Sequence, residues 1–221
     1  MKNKILLWVA LLLMVFNLYM IFIYAPIEKE MGIVQKIFYL MVPAGWLALL
    51  SFLIVLIGSS LYLKKREGKW DTLAYSAAET GIIFTTMTLI VGSTWARPIW
   101  GAWWVWEPRL TATLVLWLIY LAYFLVRSFT AEESRAARFS AVVGIVGAID
   151  VPIVILAIVV WRTIHPPPLI FQGGLAPEML QALVASITAY TVLYVLLLIQ
   201  RVNLKIDETE ITRLKRLLRE N

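Results

Sequence analysis

The chain has 221 residues, of which 61% are hydrophobic and only 15% charged, with a net charge of +6 and no cysteine. That balance excludes a soluble domain of this size, whose water-exposed surface would need many more charges. The missing thiols exclude structural disulfides, thiolate metal sites and thioether attachment of a cofactor to this chain.

Six stretches are long enough, at about 20 residues each, to cross a hydrocarbon core near 30 Å thick. They are 5–25, 39–63, 72–95, 110–127, 139–160 and 178–200. The expected fold is all-α: one six-helix transmembrane domain over 1–200, followed by a basic amphipathic tail over 201–221. The first stretch follows Lys2 and Lys4 as a signal peptide would, but its apolar run is too long and lacks a small-residue cleavage site before Pro26. It reads as a retained helix.

Placing the N-terminus in the cytoplasm puts 15 of the 20 lysines and arginines inside, leaving only Lys29, Lys36, Arg97, Arg109 and Arg162 outside. The positive-inside rule therefore predicts both termini in the cytoplasm and the 96–111 segment on the outer face, the periplasm or its equivalent, of a cell's inner membrane. Anionic headgroups account for the basic excess, so no nucleic-acid partner is needed.

In chain order, Glu28, Lys29 and Glu30 read as a solvated turn after Pro26. Glu79 lies near the inner end of the third span, where snorkelling to the interface suffices. Between spans three and four comes "ARPIWGAWWVWEPRLT". Five of the ten tryptophans fall between Trp95 and Trp106. An aromatic belt is the simplest account of interfacial indoles, but a belt spreads over both faces and all helices. If this loop is helical, Trp100, Trp103, Trp104 and Glu107 share one face of a short surface helix. Pro108 ends that helix or enters the first turn of the next. Such an indole platform suits a large, flat, apolar ligand, and the flanking Arg97 and Arg109 suit carboxylate arms on it. Haem has this shape and chemistry.

Asp150, in "GAIDVPIV", lies about 16 Å of helix from either end of the fifth span. An acid at that depth is costly, so it should face the bundle interior or be protonated. It reads either as a buried polar contact between helices, the simpler account, or as a passage or docking site. His165, the only histidine, follows on the outer side and is stiffened by Pro166, Pro167 and Pro168. A lone loop histidine is commonly a surface residue, yet imidazole is also the usual axial donor to haem iron. The tail places Ile211, Leu214 and Leu218 opposite a basic face. A positive-inside amphipathic helix explains it, and contact with the inner membrane surface or a cytoplasmic ATPase is the alternative.

Several motifs in order resemble the CcmC family, the haem exporter protein C of cytochrome c maturation. They are "KIFYLMVPAGW", "GIIFTTMTLIVGS", the tryptophan-rich "GSTWARPIWGAWWVWEPRLT", and "GAIDVPIV" followed by "WRTIH", and the likeness spans roughly 33–200. The resemblance implies that haem b is held at the outer face between the tryptophan-rich loop and two axial histidines, then passed to a membrane-anchored haem chaperone. It also implies an ABC transporter ATPase and permease and a small single-span subunit as partners. Trp100, Gly101, Trp103, Trp104, Trp106 and Arg109 match the tryptophan-rich motif, and His165 matches the second axial histidine. Glu107 stands where the family usually has Asp. Met41 stands where the first axial histidine falls, and a thioether can also ligate haem iron. The chain shows no nucleophile and base pair and no phosphate-binding loop, so the expected role is binding and transfer rather than catalysis. The alternative is a permease or structural subunit of an ABC transporter without its own haem site.

Overall fold

The computed structural model describes residues 2–130, 132–159 and 174–220. Among the described residues six helices follow in order and no strand occurs: α1 (Lys2–Tyr19), α2 (Phe38–Lys65), α3 (Gly68–Trp100), α4 (Pro108–Phe129), α5 (Glu133–Val159) and α6 (Pro177–Glu220). All six are long and apolar enough to span a membrane, as expected. Two short irregular turns attach to them, a π-helical one at Met20–Tyr24 and a 3-10 one at Ile33–Ile37. In the turn between them, Glu28 Oε2 accepts from the N–H groups of Met31 at 2.6 Å and Glu30 at 2.9 Å. Those donors hold the Glu28 carboxyl below its usual range.

In lipid there is little hydrophobic drive between helices, so close backbone approach and buried hydrogen bonds decide which ones pair. The α2–α3 hairpin shows this at Gly81: a Cβ there would lie 2.8 Å from both Ser51 Cβ and Phe52 Cε1. Helix α5 presses on α4 in the same way, since a Cβ on Gly147 would meet Ile119 Cγ2 at 2.9 Å. At the centre Phe52 stacks on Tyr120 with ring centroids 3.8 Å apart, and the hydroxyls of Ser51 and Tyr194 join α2 to α6 at 3.1 Å. Helix α1 packs on α6, where Ser186 donates to the buried Asn17 Oδ1 at 2.7 Å. The outward sides of the helices carry exposed residues such as Ile5, Leu12, Ile83 and Ile149, as lipid contact allows.

At the end of the bundle where α2 passes into α3, ion pairs bind the helices. Arg127 of α4 makes a two-pronged contact with Asp71 of α3, and Arg201 of α6 does the same with Glu79. Glu79 thus departs from the expected snorkelling. Arg201 sits 122 positions away in sequence and only helix packing brings it within reach. Between the two pairs, the Tyr75 ring lies 4.8 Å from the Arg127 guanidinium and 4.4 Å from Lys205 Nζ.

Asp150 faces the bundle interior, as the cost of a buried acid requires. Its Oδ2 has no hydrogen-bond partner among the described residues, so the expected interhelical polar contact does not form through that atom.

The expected surface helix is absent. α3 continues to Trp100, and Gly101–Glu107 contains no helical residue. Gly101 adopts φ 75°, the left-handed conformation that ends helices, and its N–H donates to the Arg97 carbonyl at 3.1 Å. Pro108 is the first residue of α4, with Glu107 as its N-cap. With a stop at one end and a start at the other, the segment between is too short for a helix of its own.

Candidate functional site

The tryptophan segment and the start of α2, both expected on the outer face, gather at the end of the bundle opposite the Asp71 and Glu79 ion pairs. The long α3 delivers the tryptophan segment there, and α2 starts there. The loop is held at both ends. On the α3 side, Arg97 Nη1 donates to the Gly101 carbonyl, so the guanidinium expected to meet a carboxylate arm also helps close its own helix terminus. On the α4 side, Glu107 Oε1 accepts from the Leu110 N–H at 2.9 Å, and the Glu107 N–H donates to the Val105 carbonyl at 2.8 Å.

Within this frame the indoles meet at right angles. Trp95 and Trp100 have ring centroids 5.2 Å apart at 87°, and Trp104 and Trp106 lie 5.6 Å apart at 79°. Edge-to-face pairs of this kind are favoured over flat stacks because the positive ring edge meets the negative face. Trp95 is buried in α3 and Trp100 is half-buried, whereas Trp103 and Trp106 are 61% and 75% exposed. The half-buried Trp104 keeps its Nε1 inside, with no hydrogen-bond partner among the described residues. The segment therefore offers a partly buried aromatic base and two open rings. Trp95 is not among the candidates read from the sequence, because it falls within the third span. Its partnership with Trp100 depends on α3 extending past the expected boundary.

Arg109, in the first turn of α4, is half-buried and interacts electrostatically with the Glu107 carboxylate. Met41 is half-buried in the first turn of α2, and its Sδ lies 3.7 Å from where a Cβ on Gly92 would stand. Gly92 is one helical turn before Trp95, so the thioether packs on the stretch of α3 that leads into the aromatic loop. The structure thus brings Arg97, Trp100, Gly101, Trp103, Trp104, Trp106, Glu107, Arg109 and Met41 to one end of the bundle. His165 lies outside the described residues, as do Trp161 and Arg162.

The fold and this loop define a class: a polytopic α-helical membrane protein carrying an aromatic-lined, capped loop at one end of its bundle. Comparison with known proteins narrows that class. The chain belongs to the CcmC family, haem exporter protein C, which it matches over residues 2–217. It is 36% identical to the haem exporter protein C of Bradyrhizobium diazoefficiens over 176 residues, covering 78% of this chain and 67% of that protein. It is 32% identical to that of Rhodobacter capsulatus, over 84% of this chain and 78% of the relative. A putative cytochrome c biosynthesis ccmC-like mitochondrial protein of Marchantia polymorpha is 35% identical, over 68% of this chain and 63% of its own length.

Proposed function

We propose that this protein handles haem for cytochrome c maturation, holding haem b at the tryptophan end of its bundle and releasing it to a membrane-anchored haem chaperone. The observation that carries the reading is the capped loop with its two perpendicular indole pairs. A lipid belt needs neither the caps at Gly101 and Glu107 nor indole edges set against indole faces. A flat macrocycle gains from both, because the rings are held before it arrives and little ordering remains to oppose binding. The names of the relatives, haem exporter protein C and cytochrome c biosynthesis protein, agree with this cargo.

In this reading the basic ends of the helices face the cytoplasm, both termini included, and the aromatic loop faces the periplasm. Residues 1–200 form the haem-handling domain and 201–221 a cytoplasmic tail. His165 supplies one axial ligand and Met41 the other, the arginines orient the carboxylate arms, and the open sides of Trp103 and Trp106 leave an exit. An ABC transporter ATPase and permease and a small single-span subunit complete the assembly.

The test is an absorption spectrum of the purified chain with added haem, oxidised and reduced. His165→Ala and a variant with Trp103 and Trp104 both changed to Ala are measured beside it. A Soret band lost in both variants is the expected result. Equal uptake by all three proteins would overturn the haem site and leave a subunit that serves an ABC transporter without binding haem itself.

A further inference from the structure

Past Gln200, α6 continues as one helix to Glu220. Arg201 ties this extension to Glu79, and Lys205 Nζ lies 4.4 Å from the centre of the Tyr75 ring. Between the extension and the turn from α4 to α5 lies a cavity of about 520 Å³, within the size range of sites that hold small ligands. Arg127 closes the expected fourth span, and Lys205 lies five positions past the sixth, about 8 Å along the helix, so both cations stand at the depth of lipid headgroups.

The walls carry both signs of charge, Arg127 and Lys205 against Glu133 and Glu208. Arg127 is committed to Asp71, and Glu208 accepts from Arg201 at 3.0 Å and from Lys205 at 3.2 Å. An ammonium has three donors and a carboxylate about four acceptor sites, so Lys205 and Glu208 keep capacity for a ligand. Three hydroxyls on the same walls decide its chemistry. Thr130, Thr209 and Thr212 each donate to the carbonyl four residues back, at 2.7, 2.9 and 2.8 Å, which leaves them only lone pairs to offer. A bare anion would meet two carboxylates and no hydroxyl donor. A bare cation would meet Arg127 and Lys205. A ligand with a phosphate at one end and an N–H-rich ammonium at the other satisfies both sets.

We propose that this cavity holds the headgroup of a phospholipid with a primary amine, as in phosphatidylethanolamine. The phosphate meets Lys205, and the ammonium donates to Glu208 and the threonine oxygens. A choline lipid carries the same charges but no N–H, and a glycerol lipid carries no cation. The bound headgroup bridges the turn from α4 to α5 and the extension of α6. This site requires only that the chain sit in a bilayer, so it stands or falls apart from the haem reading.

The experiment offers the full-length chain, stripped of lipid in detergent, equal amounts of phosphatidylethanolamine, phosphatidylcholine and phosphatidylglycerol with the same acyl chains. Native mass spectrometry counts the lipid retained. The ethanolamine lipid should be favoured over the other two by about tenfold, the worth of one charge-assisted hydrogen bond. Thr209→Val combined with Thr212→Val removes two acceptors without touching an ion pair and should lose most of that preference. Thr209→Ser combined with Thr212→Ser, which keeps the oxygens, should retain it. Lys205→Gln should weaken the ethanolamine and choline lipids alike, because both bring the phosphate. Equal retention of the three lipids, or a preference that survives the double valine substitution, overturns the proposal. So does stronger retention of phosphatidylglycerol, which would make the cavity an anion site. Displacement of the ethanolamine lipid by glycerophosphoethanolamine at matched concentration would make the ligand a soluble zwitterion and overturns the assignment to lipid.

Discussion

Met41 carries the sharpest question at the scale of single residues. Its sulfur packs near Gly92 at the start of α2, close to the aromatic loop, in a position where a thioether can fill an apolar gap or reach a metal. With His165 and Met41 as the axial pair, Met41→Ala should leave iron with one strong protein ligand and change the reduced spectrum. Met41→His should give a two-imidazole spectrum and a lower reduction potential, because exchanging thioether for imidazole stabilises the ferric state. Spectra and potential unchanged in both variants would reduce Met41 to packing. That Met41 and Glu107 depart from the pattern implied by the resemblance is readable in the sequence. That Glu107 caps α4 is readable in part, since Pro108 marks a helix start. Its burial, and an Oε2 with no hydrogen-bond partner among the described residues, are not, because burial depends on what the neighbouring helices cover.

At the scale of elements, the tryptophan loop shows how a true pattern can mislead. The i, i+3, i+4, i+7 spacing of Trp100, Trp103, Trp104 and Glu107 is present, but periodicity reports only what a helix would do if one formed. Gly101 in the left-handed region and Pro108 at the first position of α4 interrupt it from both sides. The number and order of the spans follow apolar length well, because a bilayer imposes the same requirement on every span, whereas the helices run past it, α3 to Trp100 and α6 to Glu220. Which faces meet is a different matter, and the α2–α3 contact offers a measurement. Gly81→Ala should lower stability by about 1–3 kcal/mol, since its new Cβ would meet Ser51 Cβ and a Phe52 ring atom at 2.8 Å in a packed core. Gly45→Ala, whose nearest neighbours are side-chain atoms of Thr88 at 3.7 and 3.9 Å, should be close to neutral. Thermal melting of the two purified variants in detergent distinguishes them. Equal melting would mean that the hairpin relaxes around the added methyl group.

At the scale of the whole molecule, the two bidentate ion pairs at the end opposite the aromatic loop fasten α4 and α6 to α3. The Arg127 and Asp71 side chains are only 14% and 15% exposed, so neither charge has much water to fall back on. Arg127→Met should therefore destabilise the bundle by about 3–5 kcal/mol by leaving Asp71 buried and alone, and adding Asp71→Asn should recover much of that loss. Chemical denaturation of the single and double variants measures the coupling. Additive losses would show that the pair is not a single unit. Because α3 runs from this ion-paired end to the aromatic loop, its fastening also fixes the helix on which Trp95, Arg97 and Trp100 stand.

By itself the sequence determined the six spans, the concentration of basic residues in alternate connections and at the termini, the crowding of indoles in one connection, and the family resemblance. All of these follow from composition and order along the chain, which apolar length and local punctuation express directly. Only the tertiary structure decided that Glu79 meets Arg201, that Trp95 backs Trp100, that Arg97 closes its own helix, and that the aromatic segment is a capped loop. The long-range contacts among these join residues on helices whose rotation and depth are set by packing against neighbours, and the local ones depend on where α3 stops. A one-dimensional pattern records neither the rotation of a helix about its axis nor the partner that its buried polar groups will find.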